Sequence, residues 1–292
     1  MAGGDGAIPV LSVAGQNVPE AWERAVLAVW DNGVAVRTEY DKPGDPPSLD
    51  ATVTVVVRDP LGEPRIHKNF PGGPAELEVY RQEVVEGIHD HWIAPREGKW
   101  TYTYHQRLFA YRPLADLMNP DEGPQFPPVN QIEYIIEKLA AVPYSRRAQA
   151  VTWIPHCDPE TDDPPCLQRL WARLLRGEEG FRLNVNTHWR SRDLYKAWFM
   201  NVYALTDLQR LIAERLADLL GEPVGCGRYV DVSDSLHIYG SYRDEELERE
   251  IEKMKSLPYT DRAWDSSTLE PMFEEAREKL AEDVDFYARG QG

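Results

Sequence analysis

The run from about Arg192 to Leu220 constrains this chain most, because it is the longest helical pattern it contains. Leu205, Leu208, Ile212, Leu216 and Leu219 recur near helical spacing, and Gly221 stands where a left-handed residue ends a helix. A helix this long and this apolar has to be buried, and a sheet is the partner that buries it. The flanking sequence supplies strands. Before it come "AQAVTWI" from 148, "LQRLWARLL" from 167 and "FRLNVNTHW" from 181, the last alternating Phe181, Leu183 and Val185 with polar neighbours. After it comes "GRYVDVSDSLHIYGSY" at 227–242. Strands on both sides of a buried helix predict an α+β chain.

The remaining segments fit that frame. "EAWERAVLAVW" at 20–30, "AELEVYRQEVVEGI" at 75–88 and "NQIEYIIEKLAAV" at 130–142 read as helices, the last with Ile132, Ile135, Ile136 and Leu139 on one face and a stop before Pro143. "ATVTVVV" at 51–57 is β-branched and reads as a strand. "GKWTYTYHQRLFAY" at 98–111 is aromatic and alternating, "NPDEGPQFPP" at 119–128 is a proline-rich connection, and the chain from Asp244 onward reads as two charged amphipathic helices. No repeat or composition shift marks a boundary, so residues 1–292 are expected to form a single domain.

Charge narrows the function. Acidic residues outnumber basic ones by 49 to 32, a net charge of −17, which argues against a nucleic-acid backbone as ligand. Any anionic ligand must be met by locally grouped arginines. No apolar run approaches a membrane span, and "MAGGDGAIPVLSVAG" has no basic region ahead of its short apolar stretch, so a cytoplasmic protein is expected. The cysteines, Cys157, Cys166 and Cys226, form no disulfide framework, and "PHCDPETDDPPC" has neither a CxxC nor a paired-histidine spacing for zinc.

Polar residues cluster at expected strand edges in "PYSRRAQA", "DPPC", "HWRSRD" and "DSLHIYGS". Two prolines deliver Cys166 on stiff backbone, suited to a nucleophile and equally to buried packing. Arg146 and Arg147, being adjacent, would point to opposite faces of a strand, whereas Arg190 and Arg192 would share a face. Arginines grouped with serines suit a phosphate monoester, whose oxygens a guanidinium fork meets bidentately.

Read in order, "SRR", "PPC", "RSRD", an asparagine eight residues after that aspartate, and "HIY" resemble the thymidylate synthase superfamily, which includes the pyrimidine nucleotide hydroxymethylases, over roughly residues 130–242. The resemblance implies an α+β fold, a mixed sheet packed with helices, whose sheet face packs on the same face of a second subunit. It implies that Cys166 attacks C6 of a pyrimidine nucleoside monophosphate, making C5 able to take a one-carbon unit from a 5,10-methylenetetrahydrofolate-type donor. Arg190 would contact both phosphate and thiol, lowering the thiol pKa. Ser191 would bind phosphate, as would Arg146 and Arg147 donated across a homodimer interface. Asn201 would read the base edge, favouring uracil, His237 and Tyr239 would bind the sugar hydroxyl, and Asp193 would contact the pterin.

Departures from the family pattern are also present. Leu167 follows the cysteine where the family has histidine, "DLYKAWFMN" replaces a glycine-rich segment, and the chain ends "EDVDFYARGQG". Tyr104, in the aromatic stretch, is the candidate for removing the C5 proton, and Glu83, with Glu86 as second choice, for ordering water beside the base. These departures bear on the final step. The resemblance is compatible with dUMP methylation, with 5-hydroxymethylation of CMP, dCMP, UMP or dUMP, and with an inactive nucleotide-binding homologue.

Overall fold

Strand β1 (Val10–Gly15) leads into helix α1 (Val18–Asn32), short strand β2 (Val34–Val36) and long strand β3 (Ser48–Val57). These come from a computed structural model, which describes residues 6–112 and 127–288. β4 (Ile66–His67), α2 (Pro74–Glu86), α3 (Tyr104–Phe109) and α4 (Gln131–Ala141) follow. Then come β5 (Gln149–Val151), β6 (Leu167–Gly177), β7 (Gly180–Trp189) and β8 (Arg192–Asp193). The buried helix α5 (Ala197–Leu220) precedes the longest strand, β9 (Val224–Ile238), and the described chain closes with α6 (Glu245–Ser256), β10 (Ala263–Trp264) and α7 (Ser266–Ala288).

The main sheet runs β1-β3-β9-β7-β6-β5, with β2 beside β3 and β8 beside β9. It is mixed. β1 with β3, and β7 and β8 with β9, are parallel, while β3 with β9, β6 with β7 and β5 with β6 are antiparallel. The parallel β7–β9 pair requires a crossover, and α5 is that crossover. Its Trp198, Phe199, Val202, Leu208, Ile212 and Leu216 are buried against the sheet side that carries Ala51, Val53, Val55, Leu183 and Val185. α1 packs on the same side, and its fully buried Trp22 donates an indole hydrogen bond to the Leu194 carbonyl (3.0 Å), fixing the chain just beyond β8. The opposite face, with Thr54, Val56, Asn186, His188, Val230 and Val232, is only half-buried.

Three local results differ from the sequence reading. The long helix begins at Ala197 and not near Arg192, because Arg192 and Asp193 pair with Leu236 and His237 of β9. The Asp193 carboxylate then accepts from the backbone N–H of Tyr195 (2.9 Å) and Lys196 (3.4 Å) ahead of the first helical turn. The amino-terminal apolar segment is a strand, held parallel to β3. The aromatic stretch at 98–111 contains a helix, since Thr103 accepts from the Gln106 N–H (3.0 Å) and starts α3. The proline-rich connection lies mostly outside the described residues. Among the described residues no helix is long and apolar enough to cross a membrane.

Candidate active site

Cys166 is the residue before β6, and its position is fixed by groups distant in sequence. Arg190, in the turn after β7, donates its backbone N–H to the Cys166 carbonyl (2.9 Å), Nη2 to the Pro164 carbonyl (2.6 Å) and Nε to the Pro165 carbonyl (3.2 Å). On the other side the Tyr104 hydroxyl, from α3, accepts the Leu167 N–H (3.3 Å). α3 is itself bound to the approach loop. Arg107 forms a bidentate pair with Asp158 (2.7 and 3.1 Å) and donates to the Thr152 carbonyl (2.8 Å), with both side chains buried. The stiffness expected of the two prolines is therefore reinforced by a guanidinium on each side of the loop.

Cys166 lines one of two adjoining clefts. The smaller, about 510 Å³, is lined by Cys166, the stretch Arg190 to Asp193, Ser235, His237, Tyr239 and Asp50, with Thr38 to Tyr40 at its rim. The larger, about 710 Å³, is lined by Glu83, Lys99, Trp100, Tyr102 and Tyr104. Asp162 and Asp163 belong to both. Burial pushes the Cys166 thiol up; Arg190 and Arg192 pull it down and Asp163 pushes it up, and burial prevails. The arginine thus acts in the expected direction, but the net shift is upward, contrary to the sequence reading, because the desolvated thiolate loses more than the guanidinium returns.

The other expected residues divide into those inside the clefts and those outside. Ser191 is half-buried on the smaller cleft's wall. Asp193 lines the same cleft and also accepts from the Tyr242 hydroxyl (3.2 Å), and its burial raises its pKa. His237 is buried, which pushes its pKa down to about 4, and its Nε2 has no partner among the described residues. Tyr239 stands edge-on to it (4.5 Å between centroids), its pKa pushed up to about 12 by burial and then by Asp193. Gly240 lets this end of β9 lie against the 38–47 loop, for a Cβ there would fall 1.8 Å from the Pro46 carbonyl oxygen.

Asn201 donates to the Tyr80 hydroxyl (2.5 Å), and Tyr80, on α2, is close to both Tyr104 and Glu83, which help burial raise its pKa. Glu83 points into the larger cleft and bonds His89 Nδ1 (2.7 Å), whose ring stacks on Trp92. Glu86 instead pairs with Arg81 (2.9 Å), outside both clefts. Arg146 and Arg147 lie in the bend before β5, not on a strand; both are exposed, and neither lines either of these two clefts.

Sequence reasoning missed several residues of this region: Asp50, Ser235, Tyr80, His89 and the Arg107–Asp158 pair. Asp50 had a signal, a charged residue beside an apolar strand run. Tyr80 and Arg107 had none, since each acts through a contact made only in the folded chain.

The fold and this cysteine-centred arrangement were compared with known proteins. A family model described as thymidylate synthase matches residues 80–274, more than half of the chain. The chain belongs to the thymidylate synthase family. Among the relatives of this family member are proteins named "Putative thymidylate synthase" from Methanosarcina acetivorans and Methanosarcina mazei. The first is 30% identical over 78% of this chain and 88% of its own length, the second 31% over the same shares. A relative of the same name from Methanocaldococcus jannaschii is 28% identical over 79% of this chain and 91% of its own. Thermostable thymidylate synthase A from Bacillus subtilis shares the fold, with a TM-score of 0.57 at 20% identity, covering 81% of this chain and 84% of the other. The expected α+β, thymidylate synthase-like architecture is thereby established.

Proposed function

We propose that this family member transfers a one-carbon unit to C5 of a pyrimidine nucleoside 5′-monophosphate through a thioether between Cys166 and C6, with methylation of dUMP as the first reading. The observation that carries it is Cys166 on the wall of the smaller cleft together with Arg190, Ser191, His237 and Tyr239, with the Tyr104 hydroxyl of the adjoining cleft bonded to the next residue's N–H. The Cys166 sulfur bonds C6, the C5=C6 pair moves onto C5 and the 4-carbonyl, and C5 becomes nucleophilic. C5 then bonds the one-carbon unit, Tyr104 relays the C5 proton on to water, and the sulfur leaves as the double bond returns. Asn201 reads the base, and His237 and Tyr239 hold the sugar. Glu83 keeps water and a proton beside the ring.

The larger cleft suits a reduced folate. Trp100 would offer a flat face to a pterin and Asp193 a carboxyl from the adjoining cleft. Such a donor would supply the one-carbon unit at the formaldehyde oxidation level and, for a methyl product, the hydride that reduces it, whereas a hydroxymethyl product takes water instead.

The phosphate calls for a second copy of the chain. The smaller cleft carries Glu39, Asp50, Asp162, Asp163 and Asp193, while Arg190 is bonded to proline carbonyls and Arg192 is paired with Asp231. A dianion needs further cations. Exposed Arg146 and Arg147, delivered across a homodimer formed through the half-buried sheet face, would supply them.

The test is tritium release from C5-labelled dUMP, UMP, dCMP and CMP with methylenetetrahydrofolate, followed by the product masses. Release that vanishes in Cys166→Ala supports the reading, and unchanged release overturns it. A methyl mass gain identifies a synthase, a hydroxymethyl gain a hydroxymethylase, and nucleotide binding without any exchange an inactive homologue.

A further inference from the structure

The Asp50–Ser235–His237 group, at the inner wall of the smaller cleft, has a proton arrangement that follows from its geometry. Asp50 on β3 and His237 on β9 are cross-strand partners, and Ser235 lies two residues before the histidine on the same face. The Ser235 hydroxyl is 3.0 Å from each Asp50 carboxylate oxygen and 3.4 Å from His237 Nδ1. Burial raises the Asp50 pKa against the hydrogen bonds from Ser235 and the Ala51 N–H; once ionised, the carboxylate only accepts, and the single hydroxyl proton of Ser235 is committed to it. The serine oxygen then faces Nδ1 with a lone pair, the Ser235 backbone carbonyl is a second acceptor for the ring, and Nδ1 brings the proton. Burial keeps the imidazole neutral at neutral pH, and a neutral ring has one N–H. Nε2 is therefore bare. It is also buried, lies on a residue that lines the cleft, and has no partner among the described residues. A buried acceptor without a donor is expensive unless a ligand supplies one.

We propose that Asp50 and Ser235 are positioning residues that set the tautomer of His237, so that the smaller cleft presents a bare imidazole nitrogen to a donating sugar hydroxyl. Taking that hydroxyl to be a nucleotide's rests on the function proposed above; the tautomer does not. Asp50 then affects the substrate through Ser235 and His237, across the β3–β9 pair.

The experiment is long-range 1H–15N correlation of the histidine rings in the full chain at neutral pH, with His237→Gln to assign the signals. Wild type is expected to show His237 protonated at Nδ1. Ser235→Ala is expected to move the ring toward the Nε2-protonated form and to raise KM for the nucleotide about tenfold, one hydrogen bond's worth, with a smaller change in kcat. Ser235→Thr, which keeps the hydroxyl, restores both. Asp50→Asn is expected to redistribute the tautomers as well. An Nε2-protonated His237 in wild type, or a tautomer unmoved in Ser235→Ala, overturns the proposal, and the wild-type spectrum decides even if a variant fails to fold. Absence of C5 exchange with every nucleotide would remove the proposed reaction and leave the tautomer result standing.

Discussion

Replacing Arg107 with Met tests how the nucleophile's loop is held. The guanidinium and its partner are almost wholly enclosed, 2% exposed for Arg107 and 0% for Asp158. Methionine fills much of the volume but removes three hydrogen bonds, two to the carboxylate and one to the Thr152 carbonyl. Asp158 keeps the Ile154 N–H (2.6 Å) and no longer faces a cation. Breaking a buried pair from one side costs about 3–5 kcal/mol, because a charge is left in a poor dielectric. That is a large share of the roughly 5–15 kcal/mol that keeps a domain folded. Urea unfolding of wild type, Arg107→Met, Asp158→Leu and the double variant completes a cycle. The double variant is expected to recover at least about 2 kcal/mol relative to the sum of the singles, since an apolar replacement leaves no stranded charge. A loss below about 1 kcal/mol in Arg107→Met, or additive singles, refutes the reasoning. C5 exchange should fall in Arg107→Met even where the protein is fully folded, because Tyr104 and the Cys166 loop are the parts released.

Three further outcomes can be checked. In Arg190→Gln the downward pull on the Cys166 thiol is lost, so the pH midpoint for alkylation by iodoacetamide, already above the ordinary cysteine value in wild type, should rise further; a midpoint unchanged or lower would contradict the assignment. Asn201→Asp removes the amide that bonds Tyr80 and should move kcat/KM from uracil toward cytosine nucleotides by about tenfold or more, read as the ratio of C5 exchange rates. Acid should weaken the fold through Glu23, His67 and Arg262. Burial lowers the His67 pKa against the pull of Glu23, while the hydrogen bonds of His67 and Arg262 lower that of Glu23 against burial. Both folded values lie below their unfolded ones, so the unfolded chain binds more protons as pH falls. Stability should decline from about pH 6.5 for His67 and below about pH 4.5 for Glu23, starting from their ordinary values, and urea midpoints that stay level from pH 7 to 4 would rule this out.

What the sequence revealed and what it concealed follow from the range of the interactions. The apolar rows of α5, β3 and β7 are repeated local signals that tertiary packing only confirms, so the layered frame could be read directly. Cys166, Arg190, Asn201 and the His237–Tyr239 pair were singled out by the order of short motifs, and of these Cys166, Arg190, His237 and Tyr239 line one cleft. The start of α5 was misjudged because two residues that continue its polar pattern are captured by β9, an event decided more than forty positions downstream. β1 went unseen because a six-residue strand with a polar interruption gains its stability from its partner β3. Asp50, Ser235 and Tyr80 escaped for a different reason. Asp50 stood out only as a charge beside an apolar run, and the chemical meaning of each lies in a neighbour brought by the folded chain. The thiol's pKa was misjudged in direction because spacing reveals a nearby cation but not how much water the fold removes.

That desolvation bears on how long the thiol survives. Peroxides attack thiolates far faster than thiols, and a cysteine oxidised beyond sulfenic acid is not restored by ordinary reductants. By favouring the protonated thiol against the pull of Arg190 and Arg192, burial keeps the Cys166 sulfur out of that chemistry.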